Sequence, residues 1–316
     1  MEKRKLGNSN IEVARLAFGT NVMGWTADEK TSHAMLDYFI ARGLNLVDTA
    51  DVYSRWAPGH TGGESETIIG EWFKKRKANR EKVVIATKVG IEMGPGQKGL
   101  SKAYIVRAAE ASLKRLQTDY IDLYQSHQDD PSVPQEETLS AYDALIKAGK
   151  VRIIGASNFS PDRLSEALAI SKRNGLPRYE TLQPHYNLYA RKEFEGSPFD
   201  LCKRENVSVI TYFSLASGFL TGKYRKEKDV EGKPRGQGVR AMMNERGMRI
   251  LAALDKVGAE LEATPAQVSL AWLVTKGVTA PIASATTVAQ LEEIIESTEL
   301  KLIPDQIKRL DEASAY

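Results

Sequence analysis

Four side chains, Asp48, Tyr53, Lys88 and His127, have the types needed to hand one proton to an oxygen. A tyrosine phenol titrates near ~10 and is a weak acid at neutral pH. An ammonium within ~4–6 Å favours the phenolate and lowers that value. Lys88 would supply the ammonium, and Asp48 would keep it charged and in place. Tyr53 then donates a proton to an oxygen that is becoming an alkoxide. Neutral His127 donates a second hydrogen bond that orients the same oxygen. Protonation is half a reaction; its partner is hydride addition to the carbonyl carbon, which calls for a nicotinamide.

A repeating scaffold is needed to bring such distant residues together. Short apolar, β-branched runs predict strands over 44–47, 83–86, 121–124, 152–155, 181–183, 207–212 and 279–283, with a further strand over 13–18. Helix signals lie between them. Thr26 to Glu29 reads as a capping box before the stripe Met35, Leu36, Phe39 and Ile40, which Gly43 ends. Ser101 caps a segment that turns Ile105, Ala108, Ala109, Leu113 and Leu116 inward. Ser160-Pro161 and Thr264-Pro265 each pair a cap with proline at the first helical position. Leu291, Ile294 and Ile295 mark a helix after the last strand. Strand then helix, eight times, predicts an α/β fold: a single (β/α)8 TIM barrel over 1–316. An N-terminal β-hairpin, 4–6 with 11–13, would plug its bottom. Two long stretches, 56–63 and 223–239, would lie as loops at the C-terminal face. Asp48, Lys88 and His127 close successive strands about 40 residues apart, one strand–helix unit each, so they converge at one rim.

Composition narrows the classes further. The 316 residues carry a formal charge of +3 with basic and acidic residues interleaved, which argues against nucleic acid as a partner. The basic run Lys74 to Lys77, with Arg80 and Lys82, reads as the solvated end of a helix. One cysteine, Cys202, excludes an internal disulfide and a cysteine zinc site. His127, Asp129 and Asp130 lack further ligands, so no metal is expected. The first residues have no apolar core of signal-peptide length, and no run of ~18 apolar residues predicts a membrane span. A cytoplasmic enzyme acting on a small carbonyl or alcohol is the expectation, with oligomeric state open.

The runs Leu46-Val47-Asp48-Thr49-Ala50-Asp51-Val52-Tyr53, Ala86-Thr87-Lys88, Gln125-Ser126-His127, Gly155-Ala156-Ser157-Asn158-Phe159 and Gly218-Phe219-Leu220-Thr221-Gly222-Lys223-Tyr224 resemble the aldo-keto reductases. The resemblance covers about residues 5–310. It points to a bacterial branch with channel β-subunit-like and aryl-alcohol dehydrogenase-like members. It implies a barrel that binds NAD(P)H extended, without a Rossmann domain, and the roles argued above for Tyr53, Lys88, Asp48 and His127. By that resemblance, Ser157, Asn158 and Gln183 hydrogen-bond the nicotinamide carboxamide and Tyr212 stacks on its ring. Phe213, Ser214, Leu215, Gly218, Leu220 and Lys223 form the loop over the pyrophosphate. Ser284, Ala285, Thr286, Gln290 and Glu293 take the adenosine end, at a helix N-terminus. Three positions depart from the family pattern. Phe213-Ser214 replaces a common Ser-Pro, 283–287 contains no Lys or Arg, and Ile294 stands where an asparagine is common. NADP(H) is the expected cofactor, with NAD(H) as the alternative.

Trp25 and Trp56 fall in the first two rim loops and are expected to wall a substrate pocket, in a rim that also holds Arg55 and His60. The glycine pattern 94–99 matches G-x-G-x-x-G but follows the third strand, and Pro95 lacks an N–H, so it reads as a flexible rim loop. The alternative function is a β-subunit-like regulator that binds NADP(H) as a redox sensor with little turnover.

Overall fold

The computed structural model describes residues 2–233 and 236–316, without the side chain of residue 78. Strands β1 (Lys3–Lys5) and β2 (Glu12–Ala14) form an antiparallel hairpin. The remaining strands are β3 (Ala17–Gly19), β4 (Leu46–Asp48), β5 (Val84–Val89), β6 (Ile121–Ser126), β7 (Val151–Ser157), β8 (Tyr179–Gln183), β9 (Ser208–Val209) and β10 (Ile282–Ala283). They pair in parallel in the order β10-β3-β4-β5-β6-β7-β8-β9. Three bonds join the ends of that order: Thr279 and Ala280 N–H donate to the Val209 carbonyl at 2.8 and 3.4 Å, and Ile282 N–H to the Thr211 carbonyl at 2.9 Å. The sheet therefore closes as the expected (β/α)8 barrel.

The strand expected over 13–18 is two strands, β2 of the hairpin and β3 of the barrel. Val13 and Ala17 join the inner core and Ala14 and Phe18 the outer one, so the run is apolar across both strands and hydropathy alone could not separate them. The hairpin does sit at the bottom. Arg4 donates to the Val278 carbonyl, Gly7 N–H to the Ser208 hydroxyl, and Leu6, Ile11 and Val13 join the barrel lining.

Alternation along the strands sorts side chains between two cores. Leu46, Val84, Ala86, Leu123, Ile210 and Ile282 point inward. The residues between them pack outward against the helix ring, as Val47, Ile85 and Tyr124 do. Continuing the inward series toward the strand ends gives Asp48, Lys88, Gln125, Ser157 and Gln183. The rim is therefore polar where the interior below is aliphatic.

The helices of the outer ring and the rim are α1 (Glu29–Ala41), α2 (Glu64–Lys75), α3 (Lys102–Leu116), α4 (Gln135–Lys147), α5 (Pro161–Asn174), α6 (Ser197–Arg204), α7 (Gly236–Met242), α8 (Glu245–Leu261) and α9 (Pro265–Thr275). After β10 come α10 (Val288–Glu296) and α11 (Pro304–Ala313). The caps Ser101, Ser160 and Thr264 accept backbone N–H bonds as expected. The cap of α1 is Asp28, which accepts from Thr31 N–H, and not Thr26. Thr26 N–H turns back to the Val22 carbonyl, so that residue closes a turn before the helix.

Three other expectations change. Arg80 is buried: its guanidinium stacks 3.7 Å from the Tyr120 ring centroid and pairs with Asp122 at 2.8 Å. The 94–99 segment is a bonded turn, with Gln97 N–H to the Gly94 carbonyl and Met93 N–H to the Gln97 carbonyl. The stretch 223–239 contains a short helical turn, Glu227–Asp229, and the start of α7, and part of it falls outside the described residues. Among the described residues no helix is long and apolar enough to cross a membrane.

Candidate active site

Lys88 is fully buried at the end of β5, and its ammonium has three partners. It donates to Asp48 Oδ1 at 2.6 Å, to the Thr49 carbonyl at 2.8 Å and to the Tyr53 hydroxyl at 3.3 Å. The loop after β4 makes this geometry. Thr49 N–H bonds to the Ala86 carbonyl and Asp51 N–H to the Lys88 carbonyl, so the chain stays against β5 before turning at Tyr53. Glu64 then fixes the rim loop by accepting N–H groups of Ser54, Thr61 and Gly62.

The second oxygen of Asp48 is also used. It accepts from Gln183 Nε2 at 2.9 Å and from Gln125 Nε2 at 3.4 Å. Gln183, expected at the carboxamide, lines the cavity, and its amide nitrogen donates to Asp48. Gln125 was not foreseen from the sequence, although the inward series Leu123, Gln125 of β6 marks its direction.

Electrostatics refines the expected roles. Burial raises the Tyr53 phenol above its ordinary value; Lys88 opposes this and Asp48 adds to it. The expected net lowering by Lys88 is thus reversed, because a dry site penalises the phenolate more than one shared ammonium rewards it. Burial pulls Lys88 down, but Asp48 and Tyr53 more than offset this and hold it above its ordinary value. Burial, then Lys88, hold His127 well below the usual imidazole value, so it is neutral. Its ring lies 6.1 Å from the Tyr53 ring, and its buried Nδ1 has no partner among the described residues.

Above these groups opens a cavity of about 850 Å³. Trp25, Tyr53, Trp56, Ile91 and His127 line one end, and Ser284, Thr286, Gln290 and Glu293 the other. Trp25 and Trp56 meet edge to face at 5.8 Å, and Trp56 is 48% exposed. Arg55 and His60 do not line it; Arg55 reaches to the Glu92 carbonyl and His60 to the Ser54 hydroxyl.

The middle of the cavity is lined by Ser157, Asn158, Tyr212, Phe213, Ser214 and Leu215. Tyr212 donates to Asn158 Oδ1 at 2.8 Å, and its ring stacks on His185 at 5.3 Å. His185 was not foreseen. Asn158, Phe213, Ala216 and Ser217 all have φ near +50°. Three of these, Asn158, Phe213 and Ser217, line the cavity, and such left-handed geometry in non-glycine residues is strain held by local bonds. Asn187, for example, donates to the Phe213 carbonyl at 2.9 Å. Gly218 (φ +92°) lets the Lys223 ammonium approach within 3.4 Å of where a Cβ would stand. Leu220 and Ala285, expected on the cofactor, are turned into the core instead. At the far end Ser284 donates to Asn21, a lining residue not foreseen from the sequence. Asp129 is bound by Arg163 and Asp130 by Ser132 and Leu100 N–H.

Residues 15–315 match the Aldo/keto reductase family model. The "Uncharacterized oxidoreductase YrpG" of Bacillus subtilis is 36% identical over 99% of this chain and 95% of its own length. "Protein tas" of Escherichia coli is 33% identical over 98% of this chain and 97% of its own. A "Probable voltage-gated potassium channel subunit beta" of Arabidopsis thaliana is 31% identical over 95% of this chain and 92% of its own. A closed barrel, a buried Asp–Lys pair against a tyrosine hydroxyl, and a match over nearly the whole length agree: the chain belongs to the aldo/keto reductase family and is an oxidoreductase.

Proposed function

We propose that this protein reversibly reduces aldehydes or ketones to alcohols with a nicotinamide cofactor, and that Tyr53 is the general acid. The observation that carries this reading is the Tyr53 hydroxyl, 3.3 Å from a fully buried ammonium at the floor of a long cavity. The lining fits a dinucleotide. Tyr212 offers a ring, Asn158 and Ser157 offer polar groups beside it, and Gly218 with Lys223 suits a pyrophosphate. The first turn of α10 with Thr286 and Gln290 suits the adenosine end. NADP(H) is the preferred form in this reading. Lys223 and Lys233 line the cavity, and Thr286 and Thr287 stand at the helix start to receive a further phosphate.

A bound nicotinamide supplies the hydride that the carbonyl carbon accepts. Tyr53 gives its proton to the carbonyl oxygen as negative charge builds there. The phenolate left behind is stabilised by the Lys88 ammonium, which Asp48 keeps charged and the Thr49 carbonyl keeps aimed. Neutral His127 orients the carbonyl oxygen by a second N–H. Trp25, Trp56 and Ile91 exclude water from that oxygen.

NADPH and NADH consumption with a panel of carbonyls tests this. Tyr53→Phe should lower turnover by ~10²–10⁴-fold, the worth of a positioned acid, while cofactor affinity by fluorescence stays near wild type. A Tyr53→Phe enzyme that keeps most of its activity would refute the assignment. The similarity to a protein named as a channel β-subunit favours a second reading, cofactor sensing with little turnover. Steady consumption over many cycles excludes it; a single bound equivalent consumed supports it.

A further inference from the structure

Behind the Lys88–Tyr53 pair lies a carboxyl group that the mechanism does not use. Asp51 is 2% exposed, and neither of its carboxylate oxygens has a hydrogen-bond partner among the described residues. The Val52 N–H acts on it as a dipole without completing a hydrogen bond. Charges around it do not balance. Three buried carboxylates, Asp48, Asp51 and Glu66, share two cations, Lys88 and Arg115. Lys88 is taken by Asp48 at 2.6 Å. Arg115 is taken by Glu66 at 2.6 Å, and Glu66 also accepts from the Thr87 hydroxyl at 2.6 Å. Asp51 is the one left over.

The groups that act on it come from every neighbouring element. Glu66 stands on α2, Arg115 and Tyr104 on α3, Lys88 on β5, Tyr124 on β6 and Tyr142 on α4. The Tyr124 hydroxyl is likewise buried without a partner among the described residues. An isolated carboxylate in such a place is too costly to keep ionised, so the group holds its proton. Burial first, then Glu66, push Asp51 up to about 8, with Arg115, the Val52 N–H and Lys88 only partly opposing.

The backbone ties this acid to the reacting pair. Asp51 N–H bonds to the Lys88 carbonyl, and the same five-residue turn carries Thr49, which receives the Lys88 ammonium, and Tyr53. We propose that Asp51 is a positioning residue for the Lys88–Tyr53 pair: carried uncharged through neutrality, it leaves Lys88 one carboxylate partner, and once ionised it holds the Tyr53 phenol in its protonated form. This rests on Tyr53 being the proton donor proposed above. The consequence is a second control on reaction direction. At alkaline pH the charge on Asp51 favours the phenol, which reduction needs, and disfavours the phenolate, which alcohol oxidation needs.

The test does not depend on turnover. Tyrosinate absorbance is titrated in wild type and in Tyr53→Phe, and the difference isolates Tyr53. The same subtraction is made with Asp51→Asn present in both. Asn keeps the shape of the neutral acid but cannot ionise. Tyr53 should then titrate at least about half a pH unit lower, the effect of removing one nearby charge. The pH profile of alcohol oxidation should shift in the same direction. An unchanged Tyr53 titration overturns the proposal. If Asp51→Asn does not fold, wild type alone answers. A protonated-carboxyl stretching band, isotope-edited at aspartate, should be present at pH 7 and lost by about pH 10; its absence at pH 7 also overturns the proposal. If the titration shifts but no carbonyl is reduced, the redox reading fails and the linkage between Asp51 and Tyr53 stands.

Discussion

The buried pair Lys88–Asp48 makes a prediction about stability that is separate from catalysis. Lys88→Met removes the ammonium and leaves Asp48 as a carboxylate that is 2% exposed, with only the amides of Gln183 and Gln125 as partners. Removing one partner of a buried pair costs about 3–5 kcal/mol, because the other charge is left uncompensated. For a chain of 316 residues, entropy of unfolding near ~2.1 cal/mol/K per residue converts this to a fall in Tm of about 5–8 °C. Adding Asp48→Asn to Lys88→Met removes that charge while keeping the side chain's shape. The double variant should therefore recover much of the loss and be more stable than Lys88→Met alone. Calorimetry at one fixed scan rate measures the four Tm values of the cycle. A Lys88→Met protein as stable as the double variant would show that Asp48 is not a desolvated charge, and the account of the rim would fail with it. Both variants should be inactive, so recovered stability without recovered activity separates the two roles.

Two further outcomes are expected elsewhere in the molecule. Exchanging a helical glycine for alanine ordinarily gains ~1 kcal/mol, but Gly70 on α2 faces the end of α3. A Cβ there would stand 2.0 Å from the Arg115 carbonyl oxygen. Gly70→Ala should instead cost about 1–3 kcal/mol as the two helices are forced apart, and a rise in Tm would contradict the packing. His127 is held neutral, so the folded protein refuses a proton that the unfolded chain accepts below about 6.5. Stability therefore falls as pH drops below that value, and His127→Asn should flatten this part of the pH–stability curve. The pH profile of kcat/KM for reduction should show no ionisation of His127 near its ordinary value.

Several elements are legible in the residues alone, and the reason is local. The strands 83–86 and 121–124 are short apolar runs, and their ends, about 40 residues apart, already place Lys88 and His127 at one rim. Ser101, Ser160-Pro161 and Thr264-Pro265 start helices by bonds that span three residues. Tyr53, five residues past Asp48, needs only one turn to come back over β5. The features that were not legible are set by distance along the chain. Whether 13–18 is one strand or two depends on what lies beneath the barrel, and Thr26 loses its cap to Asp28 through a turn closed on Val22.

Barrel closure is the main tertiary decision. It sets Gln183 against Asp48, 135 residues away, and so ties a cavity-lining amide to the buried carboxylate. It buries Leu220 and Ala285, whose neighbours in sequence line the cavity. It also decides the sign of an electrostatic effect. Sequence places an ammonium beside a phenol and implies a lowered pKa; the fold removes water from both and raises it. Residue types and spacing determine which groups can meet, because backbone geometry is local. Desolvation and the balance of charges, on which Asp51 depends, belong to no segment of the chain and exist only once the barrel has closed.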